Sequence, residues 1–571
     1  MFSVQQVLNE HFPGMAEKPL LFKSTSFVLR HLLHEPEVQE FGASYPHVQG
    51  LDFVEQVLSY FATSYSVRDV EKERIPEQGR AIIVANHPIG SLDALALIKL
   101  ISEVRSDIKV VANDMLMTLK PLHSLLLPVN VFQAATAKVQ LQAISEHLHQ
   151  EGVLIIFPAG EVSRLRPQGV RDTRWRTGFL RIAREAKAPI LPVFIDGKNS
   201  PLFYGVSMLY KPLATLLLVR EMFVRKQRHL PMRVGELIPF SSWQNQALPL
   251  KILSKLFKRH LYAVGAGKAG VFATQAAIAL PEERRTLQKA IRQCELLGET
   301  ADGKQIYLYQ HADSSPILRE IGRLREIAFR AVGEGSNRRR DIDGYDNDYF
   351  HLILWDRDDL EIVGAYRLGD ARQQIASKGL QGLYTATLFD YTDMPAEYFE
   401  QGLELGRSFV QPKYWGKRSL EYLWYGIGAF LRKYPHYRYL FGPVSLSNAY
   451  PTAAKDLLVH FYQRYFGSVQ QYASPKSAYP LPDGLQDMFS GEDYLQDFTT
   501  LKHLLANMGV SVPTLYKQYT ELCEPGGVQF LSFSVDADFA DCVDGLVLVD
   551  ITQLKPKKYQ RYLTERHEKA A

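Results

Sequence analysis

Short apolar runs, separated by turn-forming residues, recur through the first 240 positions of the chain. Residues 81–84, 153–157 and 189–195 are apolar at nearly every position, a pattern typical of buried strands. Residues 94–98 follow the first run with a pattern suited to a helix. The sequence therefore predicts buried strands that alternate with helices, as in an α/β domain.

The second half of the chain mixes two periodicities. Residues 304–309 alternate polar and apolar positions, which predicts a strand. Residues 317–329 place apolar side chains at helix spacing and arginines on another face. A further helix is predicted at 419–431, and further strands at 351–355, 362–367 and 439–445, the last of which ends the predicted core. This mixture predicts an α+β domain.

The length of the chain predicts more than one domain. It has 571 residues, whereas single domains commonly span ~100–200 residues. We predict a helical N-terminal segment over residues 1–70, an α/β domain over 71–245 and a second domain over 282–571. Residues 246–281 are rich in Ala, Gly, Lys and Gln, and we predict that they form a linker.

Charge and cysteine content exclude several classes of function. The formal net charge of +4 is small for this length, and no binding module accompanies the basic residues. We therefore expect no nucleic-acid partner. The 3 cysteines lie far apart in the sequence, so they form neither a disulfide framework nor a metal-binding spacing. This cysteine usage fits the reducing cytoplasm, and no metal is expected.

Membrane contact is predicted at the surface only. The chain has no run of ~18 or more apolar residues, so no segment is expected to cross a bilayer. Residues 209–224 are apolar between basic ends and are suited to the membrane interface, with an ordinary buried helix as the alternative. We predict a cytoplasmic protein attached peripherally to the inner face of the cytoplasmic membrane.

Candidate chemistry begins where the first apolar run ends. Residues 85–93 read Ala-Asn-His-Pro-Ile-Gly-Ser-Leu-Asp, so that His87 and Asp93 can face each other across a turn. An imidazole oriented by a carboxylate can take a proton from a hydroxyl group that attacks a thioester. The alternative is that His87 is merely a strand-end histidine and Asp93 a helix N-cap.

Later blocks favour the catalytic interpretation. Residues 157–164 read Phe-Pro-Ala-Gly-Glu-Val-Ser-Arg, and 189–195 form a late strand containing Pro-Val. In order and spacing, these blocks resemble the glycerolipid acyltransferase family over residues 75–240. The resemblance implies an α/β domain of that family, with His87 as general base and Asp93 as its orienting partner. It also implies that the substrate-binding positions are Asn86, Gly160, Glu161 and Arg164.

Two departures from that family concern the acceptor. The family's Phe-Pro-Glu-Gly block reads Phe-Pro-Ala-Gly here, with the glutamate displaced to Glu161. The arginine-bearing block that precedes it in the family is replaced by residues 128–132, Pro-Val-Asn-Val-Phe. In glycerophosphate acyltransferases these positions hold the phosphate region of the acceptor. We therefore expect an acceptor other than a glycerol phosphate.

Charged residues in the second half carry another resemblance. An Arg-x3-Phe helix, acidic residues in Asp-x-Asp-x2-Asp spacing and a Glu-x2-Arg strand occur in that order over residues 282–555. This order resembles the bacterial amino-acid N-acyltransferases that make ornithine lipids and related aminolipids, distant relatives of acyl-homoserine-lactone synthases in the GNAT superfamily. The resemblance implies a GNAT-like α+β domain. The residues that carry it are Arg325, Phe329, Asp341, Asp343, Asp346, Glu404 and Arg407, and among them Arg325, Asp343, Asp346 and Arg407 are expected to bind substrate.

The reaction suggests roles for two of these residues. An amino acid must lose a proton from its α-amine before it attacks a thioester, and the carboxylate of Glu404 is our candidate base. Arg407 is suited to a bidentate pair with the substrate carboxylate. The alternative is a structural ion-pair network. Residues 411–416 only approximate a coenzyme A loop, so we expect acyl carrier protein to deliver the acyl group and no bound cofactor.

The two resemblances together imply consecutive steps of lipid synthesis, as in the fused, bifunctional ornithine lipid synthases. The second domain is expected to transfer a 3-hydroxyacyl group to the α-amine of ornithine, and the first domain to acylate the 3-hydroxyl. The expected partners are acyl carrier protein, the amino acid and a membrane surface. Two alternatives remain: a synthase for glycine or another amino-acid lipid, and a lysophospholipid acyltransferase with a non-catalytic GNAT-like domain.

Overall fold

The computed structural model separates into two compact units, Met1–Ala277 and Ile278–Ala571. It describes residues 34–112, 119–128, 134–209, 211–224, 227–244, 248–311, 315–486 and 488–564, together with Ser26, Phe27, Arg30 and Met117. Two regions named in the sequence analysis lie outside the described residues. They are most of the helical segment 1–70 ahead of residue 34, and residues 129–132, which stand where the family has its arginine block.

A seven-stranded sheet forms the first unit, with strand order β1-β9-β8-β2-β5-β3-β4. Its strands are β1 (Ser64–Ser66), β2 (Ala81–Ala85), β3 (Ile108–Ala112), β4 (Leu126–Pro128), β5 (Val153–Ile156), β8 (Ile190–Ile195) and β9 (His229–Val234), while β6 (Arg164–Arg166) and β7 (Gly169–Arg171) form a separate hairpin. Its helices are α1 (Glu35–Ser44), α2 (Gly50–Tyr60), α3 (Asp69–Lys72), α4 (Ser91–Ser102), α5 (Ala134–His149), α6 (Gly178–Glu185), α7 (Pro201–Leu209), α8 (Lys211–Val224), α9 (Ser241–Gln244) and α10 (Leu250–Gly265).

The apolar runs form the centre of this sheet. Every residue of β2 and β5 is buried, and β2 pairs in parallel with β5 on one side and β8 on the other. Buried side chains cover both faces of these strands, which is why the runs show no polar alternation. The carboxyl ends of β2, β5 and β8 lie side by side, and in parallel sheets this edge commonly holds the ligand.

The predicted linker 246–281 is partly wrong. Residues 250–265 form α10, whose Leu253, Phe257 and Leu261 are buried against Phe179 and Trp243 in the core of the first unit. The apolar side chains of α10 recur at helix spacing and bury one face of the helix. The Ala- and Gly-rich composition hid that pattern.

An eight-stranded sheet forms the second unit, with strand order β10-β11-β12-β13-β15-β16-β19-β18. Its strands are β10 (Glu295–Glu299), β11 (Gln305–Gln310), β12 (Phe350–Asp356), β13 (Glu361–Asp370), β15 (Gly402–Val410), β16 (Tyr439–Leu446), β18 (Val528–Asp536) and β19 (Cys542–Asp550), and β14 (Phe389–Tyr391) pairs with β17 (Ala473–Pro475). Its helices are α11 (Arg284–Ile291), α12 (Pro316–Ala331), α13 (Ala371–Lys378), α14 (Glu397–Glu400), α15 (Ser419–Lys433), α16 (Thr452–Phe466), α17 (Tyr494–Asn507), α18 (Thr514–Thr520) and α19 (Pro556–Tyr559).

Helices cover both faces of this second sheet. Leu352 and Leu354 of β12 belong to the core cluster of α15, whereas Ile353 and Trp355 belong to that of α12, because successive side chains of a strand point to opposite faces. The sheet continues beyond the strand predicted to end the core, since β16 pairs with β19 and β19 with β18. The expected fold class, an α/β domain followed by an α+β domain, is confirmed.

The two neighbouring strands β15 and β16 separate along their length. They pair in parallel only over Gly402–Glu404 and Tyr439–Phe441. On its other edge β15 pairs with β13 through a bulge, where Arg407 has φ 49°. A bulge bends its strand and redirects a side chain. The sheet therefore opens between Arg407 and the last residues of β16.

No described helix is long and apolar enough to cross a membrane. The predicted interfacial segment forms the end of α7 and all of α8, and the side chains of residues 209–216 lie outside the described set. Leu217 is buried against Phe203, whereas Met208 and Val224 are exposed. Contact of this segment with lipid stays a prediction.

Two candidate active sites

His87 and Asp93 meet at the carboxyl end of β2. The imidazole Nδ1 lies 3.0 Å from Oδ1 of Asp93, and the His87 side chain is 19% exposed while that of Asp93 is fully buried. The pair is close but off the line of an ideal hydrogen bond. The ring packs against that of Phe157 in a tilted arrangement, with 4.4 Å between centroids. With Nδ1 turned to the carboxylate, Nε2 is the nitrogen available to an acceptor hydroxyl.

The position of Asp93 is fixed by the start of α4. Its Oδ2 accepts hydrogen bonds from the backbone N–H groups of Ile89 (2.9 Å) and Gly90 (3.3 Å). Asp93 is thus the third residue of the helix in a capping box, and Gly90, with φ 106°, is the N-cap. The alternative that Asp93 is the N-cap is therefore wrong, because Gly90 occupies that position. The carboxylate holds the helix end with Oδ2 and faces His87 with Oδ1.

The pKa of His87 reflects opposing effects. Burial of the ring lowers its pKa, but the carboxylate of Asp93, with a smaller contribution from Asp172, raises it, and the net shift is upward. A base with a raised pKa binds the proton of its substrate more firmly, but is neutral only at higher pH.

We expect Asp93→Asn to move the acidic limb of O-acyl transfer to lower pH. The amide keeps an oxygen for the two backbone N–H groups but removes the charge that raises the pKa of His87. The plateau rate should also fall, because the imidazole loses the partner that selects its Nδ1–H tautomer. The measurement is the pH–rate profile of O-acylation in both proteins. Superimposable profiles would show that this carboxylate does not act on His87.

A second carboxylate beside His87, Asp172, was not anticipated from the sequence. Asp172 is buried and accepts hydrogen bonds from the backbone N–H of His87 (3.2 Å), the Ser163 hydroxyl (2.5 Å) and the Trp175 indole (2.7 Å). The Ser163 N–H in turn donates to the His87 carbonyl at 2.7 Å. The turn after β5 is thereby tied to the histidine. Asp172 belongs to none of the motifs of the sequence analysis, because its contact with His87 arises from the fold.

Asn86 positions the strand that carries His87. Its amide donates to the carbonyl of Ile195 and accepts from the N–H of the same residue, both at 2.8 Å. Asn86 is also buried. Because both polar ends of the amide are used by β8, this geometry favours a positioning role over the predicted contact with substrate.

The other predicted substrate-binding residues follow β5. Gly160 has φ 66°, and a Cβ there would lie 3.4 Å from the Arg176 guanidinium, so the position favours glycine. Glu161 pairs with Arg164 at 3.3 Å. The Nε and Nη1 atoms of Arg164 are enclosed and have no hydrogen-bond acceptor among the described residues. Arg164 therefore has donors to offer an anionic group.

In the second unit, a buried ion network surrounds Asp346. Oδ1 of Asp346 accepts from Arg325 Nη1 (2.8 Å) and Arg367 Nη1 (3.2 Å), and Oδ2 accepts from the N–H of Asp343 (2.9 Å). Burial would raise the pKa of Asp346, but the two arginines outweigh it and hold that pKa well below its usual range. Arg325 and Asp346 are almost completely buried, which favours a structural role over the predicted contact with substrate.

His351 completes this network as a neutral ring. Its Nε2 lies 2.9 Å from the carbonyl oxygen of Asp346, and its Nδ1 lies 3.4 Å from Arg325 Nη2. Burial lowers its pKa to about 4. The neutral ring therefore donates from Nε2 and accepts at Nδ1.

Arg407 and Asp343 lie at the accessible edge of the network. Nε of Arg407 is 3.5 Å from Oδ2 of Asp341, and Nη2 is 3.5 Å from Oδ2 of Asp343, both long for ion pairs. The guanidinium lies over the rings of Tyr384 (4.8 Å) and Phe539 (4.7 Å). Loose pairing and stacked placement leave this guanidinium available for another carboxylate.

Glu404 has a different environment from the one expected of a base. It is 1% exposed, Oε1 accepts from the N–H (2.7 Å) and hydroxyl (2.6 Å) of Thr385, and Oε2 accepts from the N–H of Tyr384 (3.1 Å) and the Tyr349 hydroxyl. All four bonds would compete with proton transfer. The geometry therefore favours Glu404 as a positioning residue that holds Tyr384 beside Arg407.

The structure brings together Arg325, Asp343, Asp346 and Arg407, the residues that the resemblance singled out, and adds groups that the sequence analysis missed. Arg367 sits on β13 and bonds to two of the same aspartates. Its strand was predicted, but a single arginine in an apolar strand gave no signal of a partner. Glu334, Asp536 and Asp544 also lie near Arg407.

Comparison with known proteins identifies a family for each half of the chain. Residues 6–264 match the family described as Acyltransferase, and residues 324–425 match the Acetyltransferase (GNAT) domain. The chain is 30% identical over 275 residues to a glycine N(alpha)-acyltransferase of Phocaeicola vulgatus, covering 45% of this chain and 83% of that protein.

Two further relatives match smaller parts. A lyso-glycine lipid O-acyltransferase of Phocaeicola vulgatus is 25% identical over 228 residues, which is 39% of this chain and 81% of that protein. An L-ornithine N(alpha)-acyltransferase of Agrobacterium fabrum is 36% identical over 117 residues, 19% of this chain and 39% of that protein. The protein is therefore an acyltransferase that joins an N-terminal acyltransferase domain to a C-terminal GNAT domain, and the chain belongs to the family of the glycine N(alpha)-acyltransferases.

Proposed function

We propose that this chain catalyses both acyl transfers of an aminolipid synthesis. The C-terminal domain transfers a 3-hydroxyacyl group from acyl carrier protein to the α-amine of an amino acid. The N-terminal domain then acylates the 3-hydroxyl of that lyso-lipid. One observation carries the proposal: a single chain is similar to two separate proteins of one organism, one named for N-acylation of glycine and the other for O-acylation of lyso-glycine lipid.

The first step uses the accessible edge of the ion network. Arg407 is loosely paired and faces two aromatic rings, an arrangement suited to gripping the carboxylate of an amino acid. Its planar fork would fix the orientation of the substrate, and hence the direction of the α-amine toward the thioester.

The second step uses His87. Its Nε2 takes the proton from the 3-hydroxyl as the oxygen attacks the thioester, while Asp93 stabilises the imidazolium. The enclosed donors of Arg164 are suited to the carboxylate of an N-acyl amino acid, which would replace the phosphate of a glycerolipid acceptor. Because one chain holds both sites, the amphiphilic intermediate stays at a high effective concentration.

We propose ornithine as the amino acid and glycine as the alternative. Three L-ornithine N(alpha)-acyltransferases are 33–36% identical to this chain, although over only 19–23% of its length, whereas the glycine enzymes match over 45%. We also propose that no bound cofactor is used, and that the protein works at the inner face of the cytoplasmic membrane, where lyso-lipid accumulates.

Product analysis tests the function. The purified full-length protein is given a 3-hydroxyacyl carrier-protein thioester, a second acyl carrier-protein thioester and either ornithine or glycine. The products are identified by mass spectrometry. The proposal expects an N-acyl amino acid that is converted to an O-acylated product. Formation of neither amide would exclude it, and the preferred amino acid is decided by the ratio of kcat/KM.

Arg407→Lys is expected to raise the KM for the amino acid by about tenfold, equivalent to ~1.4 kcal/mol, with a smaller effect on kcat. Lysine keeps the positive charge but loses the planar fork and the stacking on Tyr384 and Phe539. The measurement is the initial rate of amide formation against amino-acid concentration. An exposed arginine, Arg357→Lys (54% exposed), is the matched control. An unchanged KM would remove Arg407 from substrate binding.

A further inference from the structure

Three carboxyl groups that no sequence motif marks lie together where β15 and β16 separate. Asp544 is on β19, Asp536 ends β18, and Glu334 lies just after α12, and all three are more than nine-tenths buried. The strand register places Ser445 opposite Asp544 and Asp536 opposite Cys542. Because these positions alternate with the other face, they share one side of the sheet.

Few donors satisfy these carboxyl groups. Among the described residues, the hydrogen bond recorded for Glu334 comes from Ser445 (3.1 Å), and that for Asp544 is a weak contact from the Cys542 thiol (3.7 Å). Asp536 accepts from the Tyr384 hydroxyl (3.2 Å) and one backbone N–H. The described part of the chain supplies Asp544 with neither an N–H nor an O–H donor, although a buried carboxyl group is stable only when paired or protonated.

Arg407 borders the same space, and Arg367 lies against the same tyrosine ring. Arg407 and Arg367 lie 4.8 and 5.0 Å from the ring centroid of Tyr384, whose hydroxyl reaches Asp536. Arg367 is almost fully buried, yet its Nε and Nη2 have no hydrogen-bond acceptor among the described residues. The charge of Arg407 acts on all three carboxyl groups, and its buried Nε has no hydrogen-bond acceptor among the described residues. A guanidinium beside under-satisfied carboxyl groups suits a ligand that carries both a carboxylate and an ammonium group.

We propose that Asp544, with Asp536 and Glu334, forms the ammonium subsite for the amino acid and that Asp544 accepts the proton of its α-amine. This inference rests on the proposed N-acylation. It assigns proton transfer to Asp544 instead of Glu404, whose oxygens already accept four hydrogen bonds.

The proton balance of the step is as follows. One N–H bond of the α-ammonium breaks and its proton passes to an Asp544 carboxylate oxygen. The freed lone pair attacks the carbonyl carbon of the acyl thioester, and the C–S bond breaks. A second amine proton goes to the leaving thiolate, so that amide and thiol form and Asp544 later releases its proton to water.

The electrostatics of Asp544 suit this exchange. Burial first, and then the charges of Asp536 and Glu334, raise its pKa to about 8, with Arg407 opposing. Burial likewise raises the pKa of Glu334 to about 7. A carboxylate with a raised pKa is a stronger base for an ammonium group. The groups that act around Asp544 are Asp536, Glu334, Arg407, Cys542, Tyr384 and Tyr516.

The test compares the full-length protein with Asp544→Asn. Asparagine has the same size and no charge, and the raised pKa favours the neutral form of Asp544 in the protein without substrate, so we expect the variant to fold. The rate of amide formation with ornithine should fall ~10²-fold or more at pH 7. It should recover in part as the pH rises, because the substrate then arrives with a neutral amine. The matched control is Asp358→Asn, a change at a turn residue whose side chain is 92% exposed.

A binding measurement separates this inference from the proposed function. Calorimetry in two buffers of different ionisation enthalpy should show proton release when the wild type binds ornithine at pH 7. The proton comes from Asp544, because the bound ammonium group favours its carboxylate form over the neutral form. Binding of 5-aminopentanoate, which lacks the α-amine, should release fewer protons, as should binding of ornithine to Asp544→Asn. If wild type forms amide but the variant has the same rate, pH profile and proton release, the inference is overturned. If wild type forms no amide, the proposed function fails, and proton release alone decides the subsite.

A variant that does not fold leaves a second route. Asp536→Asn removes the neighbouring charge and should lower the pKa of Asp544, because the two carboxyl groups repel each other. We expect the acidic limb of amide formation to move to lower pH. An unmoved limb would contradict the role of Asp544.

Discussion

His87→Ala is expected to stop O-acylation and leave N-acyl lyso-lipid as the end product. Loss of a general base typically costs ~10²–10⁴ in rate, and the structure offers no other imidazole at the carboxyl end of β2 among its described residues. The first acyl transfer should continue, because its residues belong to the other unit. The measurement is the time course of lyso-lipid and O-acylated product by mass spectrometry.

The control for this prediction is the fold of the first unit. Alanine removes the packing against Phe157 and the contact with Asp93, but it leaves the carbonyl and N–H of residue 87 bonded to Ser163 and Asp172. Thermal unfolding should therefore change little. His229→Ala is a matched histidine variant on the exposed start of β9, and it should keep full activity. O-acylation at the wild-type rate in His87→Ala would exclude His87 as the base.

Asp346→Ala is expected to destabilise the second unit by ~3–5 kcal/mol, because removing one partner of a buried ion network leaves the others without compensation. Arg325 and Arg367 would both lose a carboxylate at 2.8 and 3.2 Å. The pKa of Asp346 is held low, so its stabilisation is present at neutral pH and lost only as the pH falls below ~4. The measurement is the free energy of unfolding of the second unit, obtained from denaturant unfolding that is monitored by hydrogen exchange in that unit.

A nearby surface pair supplies the matched control. Asp348 pairs with Lys378, and both side chains are at least a third exposed. Surface ion pairs contribute ~0–1 kcal/mol, so Asp348→Ala should lie within that range. Equal effects of the two aspartate variants would contradict a buried network. In Asp346→Ala, amide formation should be lost as the second unit loses its fold. In Arg407→Lys the fold should persist, so the two variants are distinguished by the stability of the second unit.

Much of the fold could be predicted because its signals are local. The apolar runs at 81–84, 153–157 and 189–195 became β2, β5 and β8 with shifts of one residue at their ends. The helix predicted at 317–329 became Pro316–Ala331. In each case the period of apolar side chains is a property of the segment itself, and no distant contact is needed to read it. The helix 250–265 escaped only because Ala- and Gly-rich flanks obscured its apolar face.

Parts of the candidate sites could likewise be predicted where they depend on residues close together in the sequence. His87 and Asp93 lie six positions apart across one turn, so local geometry brings them within 3.0 Å. Arg325, Asp343, Asp346 and Arg407 were singled out by the resemblance to the amino-acid N-acyltransferases, which did not distinguish a buried ion network from a substrate contact. That difference depends on burial. Asp346 is enclosed, whereas Arg407 lies at a β-bulge and keeps 13% of its side chain exposed.

The amino-acid sequence by itself determined the strands, the helices and the residue types that acyl transfer requires, since these follow from periodicity and short spacing. Only the tertiary structure decided which carboxyl groups meet which arginines. Asp172 reaches the backbone of His87 from 85 positions away, and Asp544 faces Ser445 through strand register. Register and sheet order arise from long-range packing of whole faces, so the separation of β15 from β16, and the carboxyl groups it exposes to Arg407, have no local signature in the chain.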